Sequence, residues 1–298
     1  MMLRQGMGSP PSDGILLVDK PAGMTSHDVV ATTRRSLGER RVGHAGTLDP
    51  FATGLLVLLV GRATRLLPYI DGEPKVYEAV IRFGTETDTD DSTGIQTRQA
   101  GIPAREAVER AIQRLTGTIE QIPPAYSAKQ VAGRRAYAAA RAGEALDLAP
   151  ASVTVHEWRI ESWTGEDLRV TISCSGGTYI RALARDLGRL TGSAAHLASL
   201  RRVRSGPFDV SDGVDIETLR AGPPALRSPL EALRSLAVEP VDEGAIDRIM
   251  HGRAVPARAD GERAALVDAA GDLVAIATRS GGEWQPRVVI REAGAGAS

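Results

Sequence analysis

The segment Val42-Gly43-His44-Ala45-Gly46-Thr47-Leu48-Asp49-Pro50-Phe51-Ala52-Thr53-Gly54 runs straight into Leu55-Leu56-Val57-Leu58-Leu59-Val60, and Gly61 closes the run. A short continuous apolar stretch bounded by glycines reads as a strand buried on both faces. The glycine-rich segment before it is then a loop held at the strand's entry, with Asp49 on it. Pro50 biases Asp49 away from helix, and Gly43, Gly46 and Gly54 permit close approach of backbone or ligand. On local sequence alone, Asp49 suits a general base, a nucleophile or an Asx-type turn initiator before proline.

Working outward, the 298 residues are 42% hydrophobic and 24% charged, enough for one large domain and a small one. No run of about 18 apolar residues is present to span a membrane. Met1 to Asp13 lacks an apolar core of the secretory type, so a cytoplasmic location is expected. Cys174 is the only cysteine, which excludes internal disulfides. It alternates with Leu168, Val170 and Ile172 and reads as a strand core residue. The five histidines show no ligand spacing, and no phosphate-loop, nucleophile-elbow or dinucleotide fingerprint occurs. No metal and no cofactor are expected.

A formal net charge of -1 conceals an uneven distribution. Residues 34–65, 126–141 and 178–204 carry net +4, +4 and +5, whereas 71–91 carries -5. Three basic segments suit a surface that tracks phosphates, and solvated helix faces explain any one of them equally well.

The first strand is expected over Gly14 to Lys20, followed by a helix from Thr25 or Ser26 to about Leu37, with Thr25 and Asp28 in capping-box spacing and Gly38 as the stop. Val76 to Phe83 alternates as a half-buried strand with Tyr77, Ala79, Ile81 and Phe83 on one face. Asp88 to Gly94 fails the EF-hand pattern, with Thr93 where Gly is needed and Gln99 where Glu is needed, and reads as an acidic turn. Pro103 to Leu115 reads as a helix. Ile122 to Gly143 is basic, free of acids and interspersed with tyrosines, a composition suited to contacting RNA. Ser152 to Trp163 and Leu168 to Cys174 form a strand pair; Gly176-Gly177 turns the chain into a helix with Ile180, Leu183 and Leu187 inward. Arg181, Arg185 and Arg189 share another face of that helix, most simply a solvated one, although Arg181, one turn from the tight glycine turn, can also aim into a cleft. After a Pro-rich connector and a short helix around Leu230 to Leu236, strands are expected near Ala264 to Val267, Leu273 to Ala277 and Arg287 to Arg291.

Gly43 to Gly54 resembles the catalytic motif of the tRNA pseudouridine-55 synthases, the TruB family. Asp19-Lys20-Pro21-Ala22-Gly23-Met24-Thr25-Ser26, the Pro123-Pro124-Ala125-Tyr126-Ser127-Ala128 stretch, Gly177-Thr178-Tyr179-Ile180-Arg181 and His196 to Arg202 resemble further motifs of that family, in its order. The resemblance implies an α+β pseudouridine synthase fold: a central mixed, mostly antiparallel sheet flanked by helices and loops, plus a small C-terminal β-rich PUA-like domain. The implied division is a tail at 1–13, a catalytic domain at 14–236 with an RNA-binding thumb insertion at about 120–150, a PUA-like domain at 237–292 and a tail at 293–298.

It further implies Asp49 as nucleophile, Arg181 paired to it, and Tyr77 as the active-site tyrosine packed on the target base. Tyr179, Leu200 and Lys20 would border the base, and His44 would stack in the space it vacates. Lys129, Arg134, Arg135, Arg141, Arg201 and Arg202 are the expected RNA contacts. The implied partner is the T-stem-loop of tRNA, bound by a monomer.

The chemistry agrees with these residue types. Isomerising uridine breaks the bond from ribose C1′ to uracil N1, turns the base and joins C1′ to C5, with no redox change. A carboxylate suffices, attacking at C1′ or at uracil C6, and the nucleotide must first be flipped out of its fold. A non-catalytic RNA-binding protein would use the same basic surface with Asp49 dispensable, and an unrelated aspartate-nucleophile hydrolase is the other rival.

Overall fold

The computed structural model describes residues 13–126, 130–131, 134–135 and 148–291. Lys129 and Arg141 lie outside the described residues. Arg134 and Arg135 form a two-residue strand paired with Gln130–Val131, of which only the backbone is described.

The chain enters through β1 (Gly14–Lys20), which pairs antiparallel along its whole length with β3 (Thr53–Val60). Both are buried apart from Asp19 and Thr53, as the apolar run demands. Between them lie α1 (Ser26–Leu37) and β2 (Val42–His44). The α1 cap is the expected capping box, Thr25 with Asp28, and Gly38 ends it in the left-handed conformation at φ 63. Because Val42–His44 pairs with β3, the loop carrying Asp49 is shorter than the glycines suggest and begins at Ala45.

After a 3-10 segment, β4 (Lys75–Phe83) crosses the middle of the sheet. A short hairpin of β5 (Thr85–Thr87) and β6 (Gln96–Gln99) precedes α2 (Arg105–Arg114) and β7 (Gly117–Gln121). The small pair β8 (Gln130–Val131) and β9 (Arg134–Arg135) is followed by β10 (Ala151–Trp163), β11 (Asp167–Cys174), α3 (Ile180–Leu190), β12 (Ala195–Ser205) and β13 (Phe208–Asp209). The resulting nine-stranded sheet runs β1-β3-β12-β4-β11-β10-β7, with β2 and β13 attached at β3 and β12. Its one parallel contact is β12 on β3, so the sheet is mixed and mostly antiparallel. The core between this sheet and α2 and α3 is built from Tyr77, Ala79, Ile81 and Phe83 on β4, Val170, Ile172 and Cys174 on β11, and Leu183 and Leu187 on α3.

A second sheet, order β14-β16-β17-β18-β15, is formed by β14 (Ala237–Pro240), β15 (Val255–Pro256), β16 (Arg263–Val267), β17 (Leu273–Ser280) and β18 (Glu283–Val289). Leu266, Val274 and Trp284 are buried in its core. It rests on the first sheet through Leu59, Ala63 and Leu66 packed with Ala265, Ile276 and Ile290.

Three local expectations are corrected, and two short helices are added. Leu230 to Leu236 is not a helix but a 3-10 turn, Pro229–Ala232, because Pro229 sits in its first turn and the next N–H groups bond three residues back. The last strand begins at Glu283 rather than Arg287: Gly281 at φ 60 permits a two-residue turn pairing Ser280 with Glu283, and a register shift accommodates Pro286. Short helices α4 (Ile216–Ala221) and α5 (Glu243–Met250), each capped by an aspartate, were not read from the sequence. The arginine face of α3 is solvated only at Arg189, since Arg181 and Arg185 are buried.

Candidate active site

Four ties pin the Asp49 loop. Ala45 N–H donates to Val57 O at 2.9 Å. The hydroxyl of Ser26, the first residue of α1, accepts from Leu48 N–H at 2.9 Å and donates to Leu48 O at 3.1 Å. Gly23 N–H donates to Pro50 O at 2.7 Å, and Lys20 Nζ reaches Pro21 O, Met24 O and Pro50 O from below. The first motif of the chain therefore serves as the floor of the second. Lys20 is fully buried, which corrects its expected contact with substrate: its ammonium holds backbone carbonyls of the loop. Burial lowers the Lys20 pKa to about 8, with Asp49 opposing.

Asp49 emerges from this loop with its side chain about one third exposed and faces the first turn of α3. Arg181 Nε stands 2.9 Å from Oδ2, and Nη2 donates to Oδ1 at 3.2 Å. The remaining capacity of the guanidinium goes to Thr89 O and Tyr126 O, both at 2.8 Å, and to the Asp91 carboxylate at 3.5 Å. Asp91 is itself fixed by Thr89 Oγ1, Thr93 N–H and Thr93 Oγ1, all donating to its Oδ1. The Asp88 to Gly94 segment, expected as an acidic turn, thus buries Asp90 and Asp91 against α3. Asp91 was missed because a run of acids beside a glycine carries no sign of the distant arginines that receive it.

Burial raises the Asp49 pKa, the charge of Asp91 adds to the rise, and Arg181 and Lys20 oppose it. The carboxylate is thus held by the Arg181 guanidinium at the edge of solvent, through one hydrogen bond and a close ion pair.

Asp49 shares a cavity of about 260 Å³ with Gly46, Lys75, Tyr77, Tyr179, Arg181 and Leu200. The expected residues Tyr77, Tyr179, Arg181 and Leu200 are therefore brought to the carboxylate from β4, the α3 N-terminus and β12. Tyr77 is 7% exposed, and burial raises its phenol pKa while the nearby Arg202 opposes. Tyr179 is the N-cap of α3, its backbone clasped by the Gln121 amide, which accepts from Tyr179 N–H at 2.8 Å and donates to Tyr179 O at 3.1 Å.

His44 is not among the residues lining this cavity. It is half-buried on β2, edge-on to His27 with ring centroids 5.9 Å apart, and burial lowers its pKa. Arg201 forms a two-pronged pair with Asp19, at 3.0 and 2.7 Å, and keeps about a third of its side chain exposed. Arg202 is completely buried, donating to Leu55 O and Gly46 O, which corrects its expected contact with RNA. Lys75 was missed, although its spacing of two from Tyr77 on a strand places both on one face.

Family models and known proteins match most of the chain. Residues 34–180 match the model of the TruB family pseudouridylate synthase (N terminal domain), and 181–244 that of the tRNA pseudouridylate synthase B C-terminal domain. The tRNA pseudouridine synthase B of Thermobifida fusca (strain YX) is 44% identical over 289 residues, covering 94% of this chain and 99% of that protein. The chain belongs to the TruB family of pseudouridylate synthases. Another relative, the tRNA pseudouridine synthase B of Leifsonia xyli subsp. xyli (strain CTCB07), is 50% identical over 232 residues, 75% of this chain and 76% of that protein. Among solved structures, a Cbf5-Nop10-Gar1 complex matches with TM-score 0.69 at 23% identity, covering 93% of this chain and 85% of that one, a likeness of fold. For this TruB-family chain the α+β expectation of a pseudouridine synthase fold is met. Among the described residues, no helix is long and apolar enough to cross a membrane.

Proposed function

We propose that the chain isomerises uridine 55 in the T-loop of tRNA to pseudouridine, with Asp49 as the covalent nucleophile. Pseudouridine formation in tRNA is the activity of the family to which it belongs. The observation that carries the residue assignment is the meeting of Asp49 with the Arg181 guanidinium at 2.9 Å inside a cavity walled by Tyr77, Tyr179 and Leu200. A carboxylate held charged against an aromatic and aliphatic wall suits a flat pyrimidine that has left its stack.

Arg181 orients the carboxylate and opposes its protonation. Tyr77 packs on the extruded uracil, Tyr179 borders it from the α3 cap, and Leu200 closes the pocket. His44, beside the loop, stacks in the space vacated by the base. Arg201, with the basic segment containing Lys129, Arg134, Arg135 and Arg141, contacts the phosphates of the T-stem-loop. The acting unit is a monomer.

The test is tritium release from an unmodified tRNA transcript labelled at uridine C5, with EDTA present. Wild type should release the T-loop label. Asp49→Asn should bind the same tRNA with nearly unchanged affinity and release none; turnover by that variant removes the nucleophile role.

A further inference from the structure

Two cations line the cavity, and their circumstances differ. Arg181 is committed to Asp49, Asp91, Thr89 O and Tyr126 O. Lys75, two residues before Tyr77 on β4, lines the same cavity, yet among the described residues its ammonium has no hydrogen-bond acceptor. Burial, then the charge of Arg202, lowers its pKa. Arg202 lies fully buried behind it with Nη1 lacking a partner.

Both groups converge on Gly46, whose φ is 95: a Cβ built there would stand 3.0 Å from Lys75 Nζ and 3.5 Å from Arg202 Nη1. The neighbouring carboxylates are engaged elsewhere, Asp49 with Arg181 and Glu73 with the Gly176 N–H at 2.7 Å. The ammonium thus meets the cavity as a donor that no protein group occupies, ready for a ligand that brings an acceptor of its own.

We propose that Lys75 is a further catalytic residue, donating a hydrogen bond to a carbonyl oxygen of the target uracil as that oxygen gains negative charge. The proposal rests on the pseudouridine synthase reading above. If Asp49 attacks C1′, an O–C1′ bond forms and the N1–C1′ pair leaves with N1, so the ring anion spreads charge to its carbonyl oxygens. If Asp49 attacks C6, an O–C6 bond forms and the C5–C6 pair moves onto C5 and the O4 carbonyl. In both routes the N1–C1′ bond is broken, its pair staying with N1, C1′ is joined to C5, the carboxylate is expelled, the C5 proton departs and N1 takes one up, so the isomerisation balances. Lys75 keeps its proton throughout and stabilises the intermediate charge, with Arg202 adding its field from below.

The experiment compares wild type, Lys75→Met, Lys75→Gln and Lys75→Arg in single-turnover tritium release and in tRNA affinity at several salt concentrations. Asp49→Asn serves as reference, and unfolding midpoints show which variants remain folded. The expected result is a rate loss on the order of 10²-fold in the neutral variants, at affinity within about twofold of wild type, with Lys75→Arg regaining part of the rate. A folded neutral variant that keeps the wild-type rate overturns the proposal. So does a loss of affinity whose salt slope falls by about one while the bound complex reacts normally, which would assign Lys75 to a phosphate of the RNA. Label release by Asp49→Asn, or none by wild type, would instead remove the underlying reading, and this proposal with it.

Discussion

At the scale of single residues, the Asp49 carboxylate is subject to opposed influences, and burial prevails over Arg181. Its folded pKa lies above the ordinary aspartate value, so the reactive anion is lost as pH falls through that raised value, earlier than a solvated aspartate would lose it. The acid limb of the single-turnover rate should therefore lie above the reference pKa of about 3.9. Arg181→Ala removes the largest opposing charge and should move that limb further up while cutting the plateau rate far more than tRNA affinity. Rate against pH for the two proteins checks this, and an unmoved limb would mean that another group titrates. The pairing of Asp49 with Arg181 was legible through the family resemblance; local sequence left Asp49 undecided between nucleophile and turn. Lys75 was not legible because strand alternation assigns a face without saying what occupies it, and Asp91 was not because the Arg181 that receives it lies far away in the chain.

At the scale of elements, α3 explains how a charged face becomes interior. Arg185 donates to the Asp90 carboxylate at 2.9 Å and to Ile122 O at 2.8 Å, one helical turn beyond the Arg181 contacts. Periodicity put the arginines on one face correctly and misjudged its environment, since the covering Asp88 to Gly94 turn arrives from a distant part of the chain. Desolvation raises the Asp90 pKa to about 6 despite Arg185. The folded state thus takes up a proton that the unfolded state, near 3.8, does not hold, and this contribution to stability falls as pH rises between those values. Asp90→Asn should flatten that part of the stability profile, as read by urea unfolding from about pH 4 to 6.5. Another element-level constraint sits at Gly54, where β3 meets β12: at φ 102, a Cβ there would come 2.2 Å from Arg202 O. Gly54→Ala should cost about 3 kcal/mol or more, measured by the same unfolding assay.

At the scale of the whole molecule, the two sheets share an apolar junction. Arg62 and Arg65 reinforce it by donating to Ile290 O and Val289 O, both at 2.9 Å. Truncation at Leu236 would uncover Leu59, Ala63 and Leu66, so it should lower the unfolding midpoint of the remaining protein as well as its tRNA affinity; an unchanged midpoint would show the junction to be energetically idle. Strand positions were readable from alternation and glycine bounds. Strand order was not, because β12 inserts between β3 and β4 although both precede it by more than a hundred residues in the chain. That insertion has a bearing on synthesis at the ribosome. Until residues 195–205 have left the exit tunnel, β3 and β4 present facing edges across a vacant slot, and the segment between them is long enough to let them pair with each other wrongly. Nascent chains arrested before Ala195 should accordingly bind chaperones and show protease sensitivity in β3 and β4, and protection should appear abruptly once β12 is released.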